Sequence, residues 1–284
     1  IMKKFFIVLM CMMTLIFNTF AQDLELKMVK VPGANFEMLE HEVTLNLYVS
    51  VMGEQPENLE KVNNNLAKGI LGSFGIRVKD EKKYYYQEIG IHDNHPVVAV
   101  SFYDAIYFCN KLSALKGLIP VYSVEGQTDV DEWEYEPHLG KCLIGTISVD
   151  ENADGYRLPS VKEWLYVTRT PENHTYPGSD DIEEVAWYKK NSNKTTHEIE
   201  QKNANSFGLY DLAGNVDELL FSPVQHERDA KSMSHLCECK DSLASGGHYN
   251  SPEFSIKLSN DYKVVFSSCQ REETRGFRIV RTVK

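Results

Sequence analysis

Only two stretches of this chain combine a helix N-cap with apolar residues at helical spacing. Residues 101–116 are capped by Ser101, and residues 159–167 are capped by Ser160, with Glu163 completing a capping box. Elsewhere glycine and proline interrupt short apolar runs. So little helix in a chain of 284 residues predicts an α+β domain with much irregular structure. Long irregular segments inside a compact domain indicate a functional site or a bound ion.

The composition is that of a folded acidic protein. Hydrophobic residues make up 42% and charged residues 25%, and the formal net charge is -11. An excess of carboxylates is unfavourable for binding nucleic acid or anionic lipid, because both polyanions are bound through lysine and arginine. No linker or internal repeat divides the chain. We therefore expect a single domain and no nucleic-acid partner.

The N-terminal residues carry the pattern of a secretory signal. Two lysines precede an apolar run at 5–17, and small residues stand at both ends of the Thr-Phe-Ala sequence at 19–21. The run is shorter than the about 20 residues of a membrane span, and no later segment is apolar enough to be one. We expect a signal peptide at 1–21, a domain at 22–284, no transmembrane span after cleavage, and export to the periplasm, the cell surface or the medium.

Cysteine usage leaves several possibilities open. Export implies an oxidising compartment in which some cysteines pair, and an odd number leaves at least one outside an intramolecular disulfide. Cys237 and Cys239 lie close to His235 and could bind a soft metal, although a disulfide or surface thiols agree better with only three local ligands. The cysteines that follow the predicted signal are Cys109, Cys142, Cys237, Cys239 and Cys269.

A glycine turn between two acidic residues offers hard oxygen ligands. Calcium takes six to eight oxygens and often mixes carboxylates with backbone carbonyls. Asp211, Gly214, Val216 and Glu218 could therefore surround one cation, or they could form a plain turn with two solvated acids. A second acidic run at 150–155 starts like the calcium loop of a helix–loop–helix site, but it lacks the closing glutamate and favours an Asx turn.

Several motifs follow one another in an order that is more specific than any of them alone. They are the helix region at 96–112, Gly-Tyr-Arg-Leu-Pro-Ser at 155–160, the aromatic stretch at 185–192, Asn-Ser-Phe-Gly-Leu-Tyr-Asp-Leu-Ala-Gly-Asn-Val at 205–216, Ser-Gly-Gly-His at 245–248 and Arg-Gly-Phe-Arg at 275–278. Near the N-terminus, Glu-Val-Thr at 42–44 and Val-Met-Gly at 51–53 precede them. Together these motifs resemble the sulfatase-modifying factor, or formylglycine-generating enzyme, domain family.

The resemblance implies a single C-type-lectin-like domain of the formylglycine-generating-enzyme type. It also implies a structural calcium ion, held by the side chains of Asp211 and Glu218 and the carbonyls of Gly214 and Val216. The family usually has tryptophan at the positions of Asp217 and Leu219, and those departures concern the packing around the loop. Ile279 occupies the position of the family's disulfide partner for Cys109. The chain is also expected to lack strands between Phe36 and His41, and it carries a polar insert between Gly53 and His95.

The resemblance does not extend to the catalytic metal. Family members that oxidise a substrate cysteine to formylglycine hold copper with two cysteines just after an Arg-Gly-Gly-Ser motif. Residues 245–256 contain no cysteine here, and Ser245 replaces the arginine. Because Cu(I) requires soft ligands, copper is not expected, and the prediction leans against an enzyme and towards a pseudoenzyme.

Three functions follow from these observations. The first is an exported, calcium-stabilised binding or scaffold module for a protein, peptide or glycan, with ligand contacts from the aromatic residues Tyr84, Tyr85, Tyr86, Tyr249 and Phe254. The second is a copper-dependent, formylglycine-generating oxidase with relocated ligands, which would use Cys237, Cys239 and His248. The third is a structural component of a cell-envelope or secretion assembly.

Overall fold

Short strands and a few helices alternate in the computed structural model, which describes residues 24–56, 91–222, 241–260 and 263–283. The predicted signal peptide, residues 84–86, Cys237 and Cys239 lie outside these residues. The helices within them are α1 (Leu45–Met52), α2 (Phe102–Leu115), α3 (Val161–Thr168), α4 (Ile182–Val185) and α5 (Glu253–Ile256). The strands are β1 (Met28–Lys30), β2 (Phe36–Leu39), β3 (Tyr122–Val124), β4 (Ile147–Val149), β5 (Tyr156–Arg157), β6 (Ala186–Trp187), β7 (Ala213–Gly214), β8 (Asp217–Leu220), β9 (Asp241–Ser245), β10 (Lys263–Ser267), β11 (Arg275–Gly276) and β12 (Val280–Thr282).

Both predicted helices are present, and each begins with a complete capping box. In α2 the Ser101 hydroxyl accepts the Asp104 N–H at 3.0 Å, while the Asp104 carboxylate accepts the Ser101 N–H at 2.8 Å. In α3 Ser160 and Glu163 exchange the same two hydrogen bonds, at 3.2 and 2.8 Å. These reciprocal bonds satisfy backbone donors that have no partner inside the helix.

Helix α1 has a side-chain cap at its N-terminus and a glycine at its C-terminus. The Thr44 hydroxyl accepts the Leu47 N–H at 3.1 Å, and Gly53 ends the helix in the left-handed conformation at φ 87°. Tyr48 is buried on its inner face and stacks on Phe108 of α2, with 5.4 Å between the ring centroids. The two helices therefore pack through aromatic side chains.

One four-stranded antiparallel sheet, in the order β1-β2-β12-β5, joins the beginning of the described chain to its end. Met38 of β2 lies opposite both Val29 and Val280, and Phe36 and Met38 are buried. The expectation that no strand lies between Phe36 and His41 is therefore wrong. The strand depends on pairing with β12, which is remote in sequence and leaves no local signal.

A second four-stranded sheet, in the order β10-β9-β8-β11, positions the candidate site. Strand β8 is antiparallel to β9 and parallel to β11, with Asp217 opposite Arg275 and Glu218 opposite Gly276. All four residues of β8 are buried. The strand thus carries two carboxylates into the interior of the domain.

The described cysteines differ in their bonding. Cys142 is disulfide-bonded, and neither Cys109 nor Cys269 takes part in a disulfide. Cys109 is fully buried on α2, and burial raises the pKa of its thiol. In the part of the chain that the structure describes, no helix is both long and apolar enough to cross a membrane.

Candidate functional site

The loop predicted to bind calcium is held in a conformation that requires glycine. Asp211, Gly214 and Asn215 all adopt left-handed backbone angles, at φ 58°, 75° and 57°. A Cβ atom on Gly214 would lie 2.1 Å from the carbonyl oxygen of Trp187 in the paired strand β6. The glycine is therefore needed both for its φ angle and for the close approach of two backbones.

Glu218 forms a buried ion pair with Arg278. The Arg278 guanidinium donates to both carboxylate oxygens from Nε, at 3.1 and 3.0 Å, and to Oε1 from Nη2 at 2.7 Å. The indole N–H of Trp164 donates to Oε2 at 3.1 Å. Arg278 also donates to the carbonyls of Leu39 and Tyr210. This arrangement links the two four-stranded sheets, because Leu39 belongs to β2 and Glu218 to β8.

Two further carboxylates lie next to this pair. Glu42 accepts hydrogen bonds from the Asn215 side chain at 2.7 Å and from the Val216 N–H at 3.2 Å. Burial, together with the charges of Asp211 and Glu218, holds the pKa of Glu42 well above its ordinary value. Burial likewise raises the pKa of Asp211 to about 6, against a backbone hydrogen bond from Glu200 that lowers it.

The donor set can be compared with what calcium requires. Three buried carboxylates face one guanidinium, so hard oxygen atoms and excess negative charge are both present, as a calcium ion needs. Each oxygen of Glu218, however, already accepts two hydrogen bonds. In chemical type, Asp211 and the carbonyls of Gly214 and Val216 are oxygen ligands of the kind calcium takes, whereas Glu218 would have to be shared with Arg278. No preformed group of three or more His, Cys, Asp or Glu ligands is found within the described residues.

The loop after β9 is held by a hydrogen bond of its own and by two to neighbouring segments. The His248 N–H donates to the Ser251 hydroxyl at 2.9 Å, and the Tyr249 N–H donates to the Asn215 carbonyl at 2.9 Å. The Ser192 hydroxyl donates to the Tyr249 carbonyl at 2.6 Å. Burial, and then the charge of Arg275, lower the pKa of His248 to about 4, so its imidazole is neutral at physiological pH.

The predicted ligand-contact residues of this loop differ in exposure. Tyr249 is half-buried and its ring meets the His248 ring edge to face at 5.8 Å. Phe254, on the short helix α5, is 62% exposed. His248 and Tyr249 are therefore in ring contact, whereas Phe254 follows them in the same segment of the sequence. Their relation to Tyr84, Tyr85, Tyr86, Cys237 and Cys239 lies outside the described residues.

Sequence reasoning missed the roles of Glu42 and Arg278, although both stand in recognised motifs. Their signal is a charged residue directly next to an apolar one, in a motif that the family shares. Val43 and Phe277, adjacent in sequence, are both fully buried. A charged side chain in such surroundings needs a partner of opposite charge. The partner itself cannot be identified without the fold.

The small sheets, capped helices and buried loop around Arg278 define a mixed α/β domain of the C-type-lectin-like class. A family model described as "Sulfatase-modifying factor enzyme 1-like domain" matches residues 16–283. The chain belongs to this formylglycine-generating-enzyme-type family.

Relatives and solved structures agree with this assignment. A protein described as "Chaperone protein LppX" of Paenibacillus barcinonensis is 28% identical over 210 residues, covering 67% of this chain and 71% of the relative. Treponema denticola variable protein 1 shares the fold with a TM-score of 0.61 and 23% identity, covering 91% of this chain and 92% of that protein. CarF does so with a TM-score of 0.57 and 24% identity, covering 88% of this chain and 87% of CarF. Neither the chaperone nor the variable protein is named as an enzyme.

Proposed function

We propose that this protein is an exported, non-catalytic member of the family that binds polypeptide. The observation that carries the proposal is the loop at 245–256, which keeps the family framework but contains no cysteine. The main chain of His248 and Tyr249 is hydrogen-bonded, and the imidazole of His248 is half-buried and neutral. A relative named as a chaperone supports a polypeptide ligand over a glycan.

The ligand-contact surface centres on Phe254. Helix α5 exposes this ring next to a salt bridge between Lys190 and Glu253 at 3.0 Å. An exposed aromatic ring beside charged groups is typical of a site that contacts protein, because the ring contributes apolar area without losing much side-chain entropy.

The lack of catalysis can be tested directly. The purified, reduced protein is incubated with Cu(I), oxygen and a peptide containing Cys-X-Pro-X-Arg, and the peptide is weighed by mass spectrometry beside an active family member. We expect no conversion of cysteine to the aldehyde. Conversion that disappears in Cys237→Ser would instead establish the relocated-cysteine oxidase.

Polypeptide binding is tested with reduced, carboxymethylated α-lactalbumin, a permanently unfolded chain. Fluorescence anisotropy should show saturable binding that Phe254→Ala weakens by about tenfold, the loss expected for an aromatic contact residue. Ile144→Ala is the matched control, since Ile144 is 88% exposed in the irregular segment that precedes β4 and should not affect binding. No binding by the wild-type protein, or equal losses in both variants, would contradict the proposal.

Calcium forms part of the same proposal. We expect Ca²⁺ to raise the thermal unfolding midpoint, because a ligand that binds only the folded state stabilises it. Asp211→Ala should abolish this increase, and Mg²⁺ at the same concentration should not reproduce it, since Mg²⁺ requires stricter octahedral geometry. An unfolding midpoint that is unchanged by Ca²⁺ and by chelators would contradict calcium binding and leave the loop as a structure held by protein hydrogen bonds alone.

A further inference from the structure

Two opposite charges lie side by side in the second sheet without completing each other's hydrogen bonds. Asp217 of β8 and Arg275 of β11 are directly opposite in the parallel pairing. They are only 3% and 4% exposed. Buried charges of this kind are ordinarily paired and hydrogen-bonded, because an unsatisfied charged group in the interior is costly.

Three polar atoms of the two side chains have no hydrogen-bond partner. They are Oδ1 of Asp217 and Nε and Nη1 of Arg275. The N–H of Gly247, in the loop after β9, donates to the Asp217 carboxylate and leaves Oδ1 unoccupied. The charges attract each other through space, but one acceptor and two donors remain available.

The neighbouring pair on β8 shows that this incompleteness is local. Glu218, the next residue, has both carboxylate oxygens occupied by Arg278 and Trp164 at 2.7–3.1 Å. The same strand therefore carries one acid that is fully satisfied and one that is not. The contrast separates Asp217 and Arg275 from the ion pair that links the two sheets.

The surroundings restrict what can complete the pair. The Arg275 guanidinium stacks over the Phe266 ring at 3.6 Å, so one face of the group is covered by an aromatic ring. His248 lies nearby as a neutral imidazole and supplies no compensating charge. A ligand anion would face the Asp217 oxygen with like charge, and a ligand cation would face Arg275 in the same way. An amide matches both, since its N–H can donate to Asp217 while its carbonyl accepts from Arg275.

We propose that Asp217 and Arg275 bind an amide group of the polypeptide ligand, from its main chain or from an asparagine or glutamine side chain. The proposal rests on the polypeptide-binding function proposed above and names the chemical group that this site receives. The amide group hydrogen-bonds to both side chains, its N–H donating to Asp217 and its carbonyl accepting from Arg275.

A small amide tests the site without the whole ligand. In ¹H–¹⁵N spectra of the full-length protein, the Arg275 Nε–H signal is assigned by its loss in Arg275→Lys. N-acetylglycinamide should shift this signal in a saturable manner, whereas sodium acetate and methylammonium chloride should not. No shift with the amide, or the same shift with acetate, would overturn the proposal and leave the pair solvated by ordered water only.

A double variant tests the role of the site in binding the polypeptide. Asp217→Leu with Arg275→Met removes both charges together, so neither is left buried alone, and such replacements are often neutral for stability. Binding of reduced, carboxymethylated α-lactalbumin should weaken by about tenfold or more, the loss expected for hydrogen bonds to charged groups. Thermal unfolding confirms that the variant is folded.

The matched control is another Asp–Arg pair, Asp154→Leu with Arg281→Met, whose charged groups lie 3.9 Å apart near the surface. It should bind the polypeptide as the wild-type protein does. Wild-type binding that persists unchanged in the Asp217 and Arg275 variant would refute the amide site alone. No binding by the wild-type protein would instead refute the proposed function.

Discussion

At the scale of single residues, the site depends on where the backbone can pass. Gly214 has its Cα against the carbonyl of Trp187, and this contact sets the path of the chain between Asp211 and Glu218. A side chain at this point would move the loop and with it Asn215, whose amide holds Glu42. The absence of a Cβ atom at Gly214 is therefore required for the buried carboxylates to keep their positions.

We predict that Gly214→Ala lowers the free energy of unfolding by about 4 kcal/mol or more, because it combines a left-handed φ with a severe backbone clash. Gly53→Ala is the matched control, since Gly53 also has a left-handed φ but no atom lies within 4 Å of the added Cβ. Its cost should be about 1 kcal/mol, from conformation alone. Chemical denaturation measures both, and equal losses would show that the contact with Trp187 is unimportant.

Sequence reasoning at this scale succeeded for residues that act on their near neighbours. Ser101 and Ser160 cap helices that start one residue later, so the partners are three positions away and visible in the sequence. Glu42 binds the Asn215 side chain, which is 173 residues away in the sequence, and Arg278 binds Glu218, which is 60 residues away. Their motifs could be recognised, but their partners could not be named.

At the scale of elements, α3 shows how one side chain can serve two structures. Glu163 closes the capping box with Ser160 and also receives two hydrogen bonds from Arg157 of β5, at 2.8 and 2.6 Å. The first helical turn is thereby attached to the first sheet. Burial alone would raise the pKa of Glu163, but the hydrogen bonds and charge of Arg157 outweigh it and the pKa is lowered.

This lowered pKa predicts a dependence of stability on pH. The unfolded state binds the Glu163 proton more tightly than the folded state does. The contribution of the ionised Glu163 carboxylate to folding stability is therefore fully present above its ordinary pKa of 4.5, and it is lost as the pH falls through the lower pKa of the folded state. The difference in unfolding midpoint between wild type and Glu163→Gln should therefore be largest near neutral pH and shrink below about pH 4.5.

Scanning calorimetry measures this difference between about pH 3 and pH 7, a range that includes the pH at which carboxyl groups titrate. Glu151→Gln, in an exposed turn, is the control and should show no such narrowing. A difference that stays constant across the range would mean that Glu163 contributes through its shape and not through its charge.

Elements that form by pairing were harder to predict than those that form locally. The acidic run at 150–155 does form the expected Asx turn, in which the Asp150 carboxylate accepts the Asn152 N–H at 2.9 Å. Strand β2 was not predicted because its four residues, Phe36 to Leu39, are too few to show a periodic pattern. Its register is set by β1 and β12 together, which is information that a local window does not contain.

At the scale of the whole molecule, one strand near the end of the chain completes the first sheet. Strand β12 lies between β2 and β5, and Arg278, just before it, connects the two sheets. Fully buried Phe277, Ile279 and Val280 place the same segment in the core. The last part of the described chain is therefore central to the structure and not peripheral.

A chain ending at Ile279 should consequently lose cooperative unfolding and bind a hydrophobic dye, because β2 and β5 are left without their shared partner. A chain ending at Thr282 keeps β12 and should retain a single thermal transition close to that of the full chain. The comparison is made by calorimetry and dye fluorescence. A cooperative transition in the shorter chain would show that the first sheet forms without β12.

The position of β12 also sets the order of events during synthesis. A ribosome releases Phe36 about 240 residues before Val280, and at roughly 5–20 residues per second this interval lasts about 12–50 s. Throughout that time the exposed edge of β2 has no native partner to pair with. The nascent chain must itself be protected from aggregation until its final strand is synthesised, so a protein proposed to bind polypeptide first passes through a stage in which its own chain is unfolded.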